Sequence, residues 1–305
     1  MERKMMEQTL WRGKVSYSPV QDKYFTGEIF EGQLVDVTDI SSVEAQVILD
    51  EVLGLARPQY RLRPVCREIR MDHLTMRVDI ATSLTGQEKV PELVEAEISA
   101  QTYTTVDFNL WKNVVHVALS DEAVKKAAHD ILRLHVQDAA KELARMENKQ
   151  IAAELENATG VTGHDWGSSS NNPFDDVTGA ISIIEGAGYE PDFMALHPYA
   201  WSKFITNDHV EGMVEAGIAQ LGAAGGQFTL PGYPTIRVVV DNALTNTIAV
   251  IGDSKAPACV LGIGPTEAAQ YRNEKAGYTA YIIRQWLQPK LVVSNAIRKL
   301  NGIAS

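Results

Sequence analysis

The stretch LSDEAVKKAAHDILRLHVQDAAKELARMENKQI, residues 119–151, decides how this chain is read. Ser120 offers an N-cap hydroxyl, and Asp121 and Glu122 put two carboxylates at the positive end of a helix dipole. A helix is predicted to begin there. Val124, Ala128, Ile131, His135, Ala139, Leu143 and Met146 recur at three- and four-residue steps, and no Gly or Pro intervenes before Gly160. About thirty residues rising ~1.5 Å each make a rod of roughly 50 Å, far longer than the usual three or four turns. A coiled coil would repeat Leu at heptad positions. Here the stripe is rich in Ala (Ala123, Ala127, Ala128, Ala139, Ala140, Ala144), which suits a helix lying close across a sheet.

Toward the N-terminus the pattern changes. Met76, Val78 and Ile80 alternate with Arg77 and Asp79, and Val94, Ala96 and Ile98 alternate with Glu95 and Glu97, so two half-exposed strands are predicted. SLTGQEKVP, residues 83–91, has the Gly, Pro and polar content of the hairpin tip between them. A hairpin so charged on one face is either a solvated edge or an arm that pairs with a neighbour. Further upstream, Ser41 and Ser42 can cap a short helix over Val43, Val47, Leu49, Val52 and Leu53, closed by Gly54 and Pro58. Residues 1–42 carry Trp11, Tyr17, Tyr24, Phe25 and Phe30 with no sustained period, which reads as an extended arm seeking another surface rather than as a disordered tail.

Toward the C-terminus, residues 160–174 form a loop by composition, followed by a helix over 175–187, a strand over 193–196 and a helix over 198–205. GAAGGQFTLPGYP, residues 222–234, is a flexible loop. Short apolar strands are predicted over 236–240, 247–251 and 258–263, then a strand region over 278–287 and a closing segment over 292–300. The layout is α+β, without regular β-α-β alternation.

Composition narrows the function. A 305-residue chain with 45% hydrophobic content can bury a large core. Its 28 Lys and Arg against 39 Asp and Glu give a net charge of −11, the wrong sign for a protein that grips phosphates. The N-terminus lacks a secretory signal pattern, and no apolar run is long enough to span a bilayer, so a soluble protein made in the cytosol is expected. Cys66 and Cys259 lie far apart in sequence and read as small buried hydrophobes of a reducing compartment, with a single disulfide between them as the alternative rather than the default. There is no GxxxxGK[ST] loop, HExxH pair, GxSxG elbow or CxxC motif. His129 and His135 stand six apart on different sides of the helix, and His164 with Asp165 has no further ligand nearby in sequence. No catalytic residue, cofactor or metal is expected, and the chain reads as a non-enzyme.

The order of elements carries more than any motif. Residues 119–151, together with DDVTGAISIIEGAGYEPDFMALHPYAWSKF (175–204), LPGYPTIRVVVDNAL (230–244) and TIAVIGDSKAPACVLGIG (247–264), resemble the Hong Kong 97-type major capsid proteins of tailed viruses, a likeness running over about residues 70–300. The resemblance implies an N-terminal arm (1–42), a short helix and connector (43–68), an extended-loop hairpin with adjoining peripheral strands (69–118), a spine helix and loop (119–174), an axial domain (175–268) and a return to the peripheral domain (269–305). It implies a hairpin tip between subunits at Gly86, Gln87, Glu88, Lys89 and Pro91. A capsomer-centre loop is implied at Gly222, Gly225, Gly226, Pro231, Gly232 and Pro234. Ser120, Asp121 and Glu122 become the spine cap, and Trp11, Tyr17, Tyr24, Phe25 and Phe30 the arm contacts.

Also implied are pentamers and hexamers in an icosahedral virion shell around double-stranded DNA, assembled in the host cytoplasm without membrane contact or sequence-specific DNA binding. Portal, scaffold and cement or minor capsid proteins are the expected partners. In some relatives a hairpin Lys is linked covalently to an Asn; Lys89 with Asn295 or Asn301 are the residues such a link would use here. The N-terminus matches no scaffolding pattern. An encapsulin-type nanocompartment shell is the nearer alternative, and a soluble α+β enzyme with a site of scattered carboxylates the more distant one.

Overall fold

The structure is a computed structural model. It describes residues 16–18, 23–25, 37–81, 88–90, 92, 103–122, 131–221, 226–229, 233, 235–256 and 258–304, with side chains from 47 onward except 80, 81, 104 and 131–133.

Along the chain, β1 (Ser16–Ser18) and β2 (Lys23–Phe25) pair antiparallel. Helix α1 (Val37–Ala56) follows, then 3-10 turns at Arg57–Gln59 and Arg63–Val65 and strand β3 (Arg67–Arg70). β4 (Thr75–Ala81) and β5 (Tyr103–Asn109) form a two-stranded ladder, and β6 (Trp111–Ser120) leads toward α2 (Ile131–Leu155). The next elements are β7 (Gly160–Thr162), α3 (Pro173–Gly186), β8 (Phe193–Leu196), α4 (Pro198–Ile205) and α5 (Asp208–Glu215). Strands β9 (Gln220–Leu221), β10 (Gln227–Thr229), β11 (Ile236–Val240), β12 (Ile248–Gly252), β13 (Cys259–Asn273), β14 (Tyr278–Leu291) and β15 (Ile297–Asn301) complete the chain.

Two larger sheets organise these parts. One is seven-stranded in the order β7-β15-β12-β8-β11-β10-β9, the other four-stranded in the order β3-β13-β14-β6. β8 lies within the first, parallel to β11 and antiparallel to β12, and all four of its residues are buried. Its alternation feeds two cores. Met194 and Leu196 face α3, packing with Phe174, Val177, Ile181, Ile184 and Phe204. Phe193 and Ala195 face the other way, onto Ile151 and Leu155 of α2 and onto Leu261 and Leu287 of the four-stranded sheet. The three downstream helices are capped locally. Asn172, His197 and Asn207 each accept from the backbone N–H two residues on, and Pro173 and Pro198 occupy first-turn positions that need no N–H partner.

Helix α2 ties the halves together. Its buried positions run 136, 139, 140, 143, 144, 147, 148, 151, 152 and 155, a continuous 3.6-residue stripe. Val136, Ala139, Ala140, Leu143 and Ala144 pack with Leu49, Val52 and Ala56 of α1 and Ile283 of β14, while Ile151, Ala152 and Leu155 enter the core between the sheets. The Ala side therefore meets a helix as well as a sheet. His135 is exposed and Met146 only half-buried, so the true stripe is rotated from the expected one. Ala123, Ala127 and Ala128 lie outside the described residues.

Several boundaries differ from expectation for identifiable reasons. α1 begins at Val37, before Ser41, and continues through Gly54. No atom lies within 4 Å of where a Gly54 Cβ would sit, and burial of Val52 and Ala56 outweighs the helix penalty of one Gly, about 1 kcal/mol. β4 pairs with β5, not with 94–98, which lies outside the described residues. The strand expected to stop at Ile263 continues to Asn273, because Gly264 and Pro265 are absorbed in a bulge between Ile263 and Thr266. A Cβ at Gly264 would sit 2.6 Å from Leu110 Cδ1. The boundary at 268 thus falls inside a strand of the four-stranded sheet, and the final strand β15 joins the seven-stranded sheet instead.

Candidate functional site

Among the described residues, the β4–β5 hairpin is exposed along most of both strands. Its seven antiparallel pairs run from Thr75↔Asn109 to Ala81↔Tyr103. Arg77 and Asp107, directly opposite in register, form an exposed ion pair at 2.7 Å. That pairing holds the Asp107 carboxyl below and the Arg77 guanidinium above its ordinary range. Met76 is 41% and Tyr103 64% exposed, and only Phe108 is fully sunk, packing with Met71 and Val260 at the root. Lys290 Nζ donates to the Asp107 carbonyl at 2.8 Å, and Asn109 N–H to Gln288 Oε1 at 2.6 Å, which fixes the root to the body. Val78 and Val106, partly buried, pack against that same root, while the opposite face, with Arg77, Asp107 and Tyr103, is exposed. An isolated two-stranded ladder is marginal in water, so this one calls for a further surface.

At the hairpin tip, Glu88 and Lys89 are exposed and Lys89 adopts φ 56°, a left-handed conformation unusual for a residue with a side chain. Gly86, Gln87 and Pro91 lie outside the described residues. So do Gly222, Gly225, Pro231, Gly232 and Pro234, whereas Gly226 accepts from Val238 N–H at 2.8 Å where β10 meets β11. The stretch expected to be one flexible loop thus contributes a strand, β10, paired with β9 and β11 at the edge of the seven-stranded sheet. Of the arm residues, Tyr17 pairs with Tyr24 and Phe25 with Ser16 in the β1–β2 ladder, while Trp11 and Phe30 lie outside the described residues.

Ser120, expected to cap the long helix, is the last residue of β6, in register with Tyr278; helical backbone begins at Asp121 and Glu122. Residues 123–130 lie outside the described residues. The Asp121 carboxylate accepts from Arg272 at 2.8 and 3.1 Å, and its N–H donates to the Gly277 carbonyl at 2.9 Å, joining the helix entry to the β13–β14 turn. Asp121, then Glu274, holds the Arg272 guanidinium well above its ordinary range.

Sequence reading missed a buried polar junction on α2. Glu147 is fully buried and accepts from Arg63 Nε and Nη2, both at 2.6 Å, and from Gln285 Nε2 at 3.0 Å. Arg63 also lies 4.0 Å over the Tyr60 ring. Burial, and then the Glu147 carboxylate, pushes the Tyr60 phenol up to about 12. One residue on, Asn148 donates to the Gln59 carbonyl and to Asp241 Oδ2, clamping α2 to the connector and the seven-stranded sheet. The signal was available: two polar residues in the apolar phase of a helix. Cys66 and Cys259, read as separate hydrophobes, are in contact. Among the described residues no group of three or more His, Cys, Asp or Glu side chains could hold a metal ion, and no helix is long and apolar enough to cross a membrane.

This architecture recurs in particle-forming shells. It is similar to the virus-like particle from Pyrococcus furiosus, with TM-score 0.61 and 12% identity over 85% of this chain and 99% of that one. It is similar to the capsid of an empty GTA particle, with TM-score 0.59 and 14% identity over 81% and 90%. The encapsulin of a holo-SrpI complex from Synechococcus elongatus PCC 7942 is also similar, with TM-score 0.58 and 13% identity over 81% and 88%. The fold is thus the Hong Kong 97-type capsid fold. Residues 117–288, more than half of the chain, match the phage capsid protein family, and the chain belongs to that family. No curated protein sequence matches it.

Proposed function

We propose that this capsid protein is the major shell subunit of a tailed virus, closing into an icosahedron of pentamers and hexamers around double-stranded DNA. The observation that carries the reading is the β4–β5 hairpin, rooted at Phe108, Val78 and Val106 on one face and exposed along the other. Laid over an adjacent subunit, it would cover the exposed face that carries Tyr103 with the Arg77–Asp107 pair, and repetition around a closed shell turns many weak contacts into avidity. The seven-stranded sheet with α3, α4 and α5 would serve as the axial domain, its β9–β10 edge turned toward the ring centre. The four-stranded sheet with α1 and α2 would serve as the peripheral domain.

Such a protein works through interfaces and carries out no reaction. A net charge of −11 leaves packaged DNA repelled from the wall and free to exit. The location in this reading is the virion capsid after assembly in the host cytoplasm, with a portal, scaffold and cement or minor proteins as partners. An encapsulin-type nanocompartment, which holds cargo enzymes instead of a genome, is the rival shell. Size-exclusion chromatography with negative-stain microscopy of the purified chain tests the proposal. Megadalton closed particles are expected, and a chain that stays a small oligomer would overturn the proposal.

A further inference from the structure

Cys66 and Cys259 stand 193 residues apart in sequence, yet their Sγ atoms are 2.7 Å apart in a buried apolar setting among Leu62, Val65, Leu261 and Leu287. The placement follows from the sheet. β3 and β13 pair in parallel from Arg67↔Val260 onward, so the two cysteines occupy the next rung back. Neighbouring strands lie about 4.8 Å apart, within the range of backbone separations that a disulfide bridges. Both are free thiols in this structure.

We propose that Cys66 and Cys259 are a redox modification site, forming an intrachain disulfide that staples the connector after α1 to the first strand of the β13–β14 hairpin. The oxidant is a small-molecule disulfide. The thiolate of one cysteine attacks a sulfur of the oxidant, giving a mixed disulfide and releasing one thiolate. The second cysteine, deprotonated in turn, attacks the protein sulfur of that mixed disulfide and releases the second thiolate. The two protons lost by the cysteines end on the two released thiols, and two electrons pass from the pair to the oxidant. Burial of both cysteines keeps a bulky oxidant out of the closed fold, and there the hydrogen bond to Cys259, and then burial, hold the Cys66 thiol well above its ordinary range. Once closed, the link constrains a loop of nearly two-thirds of the chain in the unfolded state, the geometry in which a crosslink stabilises most. The inference is independent of shell assembly and holds for a chain that forms no particles.

The test uses the full chain, incubated with oxidised glutathione just below its melting midpoint, then acid-quenched, unfolded, alkylated and weighed. The expected product is a single chain lighter by two hydrogens, without alkyl adducts, whose non-reduced digest contains the Cys66 and Cys259 peptides joined. Its thermal midpoint should exceed that of the reduced chain by roughly 5 °C or more, and Cys66→Ala should lose this redox dependence. Two alkylated thiols, retained glutathione, two chains linked together, or a redox shift that persists in Cys66→Ala would each overturn the proposal.

Discussion

Glu147 places a carboxylate where no water reaches, and its stability there depends on the two-pronged Arg63 contact and on Gln285. A buried pair of this kind adds little net stability, because desolvating both ions offsets their attraction, but removing one partner strands the other. Arg63→Met is expected to destabilise the unassembled chain by about 3–5 kcal/mol, and Arg63→Met with Glu147→Leu to recover most of that loss. Denaturant unfolding of the single and double variants measures both, and equal losses in the two would contradict the account. Gly252 shows the same dependence on neighbours without charge. A Cβ there would lie 2.9 Å from the Phe193 ring and 3.1 Å from Ile297, so close strand packing admits only Gly.

At the scale of elements, the β4–β5 hairpin is the part whose removal separates folding from assembly. Replacing residues 83–101 by a short Gly-Asn turn keeps the root at Phe108, Gln288 and Lys290. The unassembled chain should then melt within about 2 °C of the parent, while particles disappear from electron micrographs; normal particles from the shortened chain would contradict the hairpin's role. Sequence reading succeeded best where an element is short and sharply punctuated. β8, α4 and β11 were bounded to the residue because Pro191, Pro198 and Pro234 flank them. It failed where tertiary structure absorbs a breaker, as at Gly54 within α1 and Gly264-Pro265 within β13. It missed α5, whose DHVEGMVE offers only Val210, Met213 and Val214 as apolar positions and contains Gly212.

For the whole molecule, α2 spans the two cores, its first half packed on α1 and its second between the sheets, so the seven- and four-stranded units are braced by one rod. The presence of such a rod was legible in residues 131–155, and so was the apolar phase in which Glu147 and Asn148 stand; their pairing with Arg63, Gln285 and Asp241 was not, because those partners are distant in sequence. Domain limits were the least legible feature. β15 returns to the seven-stranded sheet beside β12 and β7, and nothing local in Ile297–Asn301 distinguishes that pairing from a place in the other sheet. Of the candidate surfaces, the hairpin was legible from its alternation of charge and apolar residues, whereas β5, the strand that pairs with β4, was not. The most direct test is a symmetric cryo-EM reconstruction of particles formed by this chain. The account predicts a closed icosahedral shell with residues 222–234 at the centres of five- and six-fold rings and the 75–109 hairpin lying over a neighbouring subunit. A small open oligomer, or a shell with that loop remote from every symmetry axis, would contradict it.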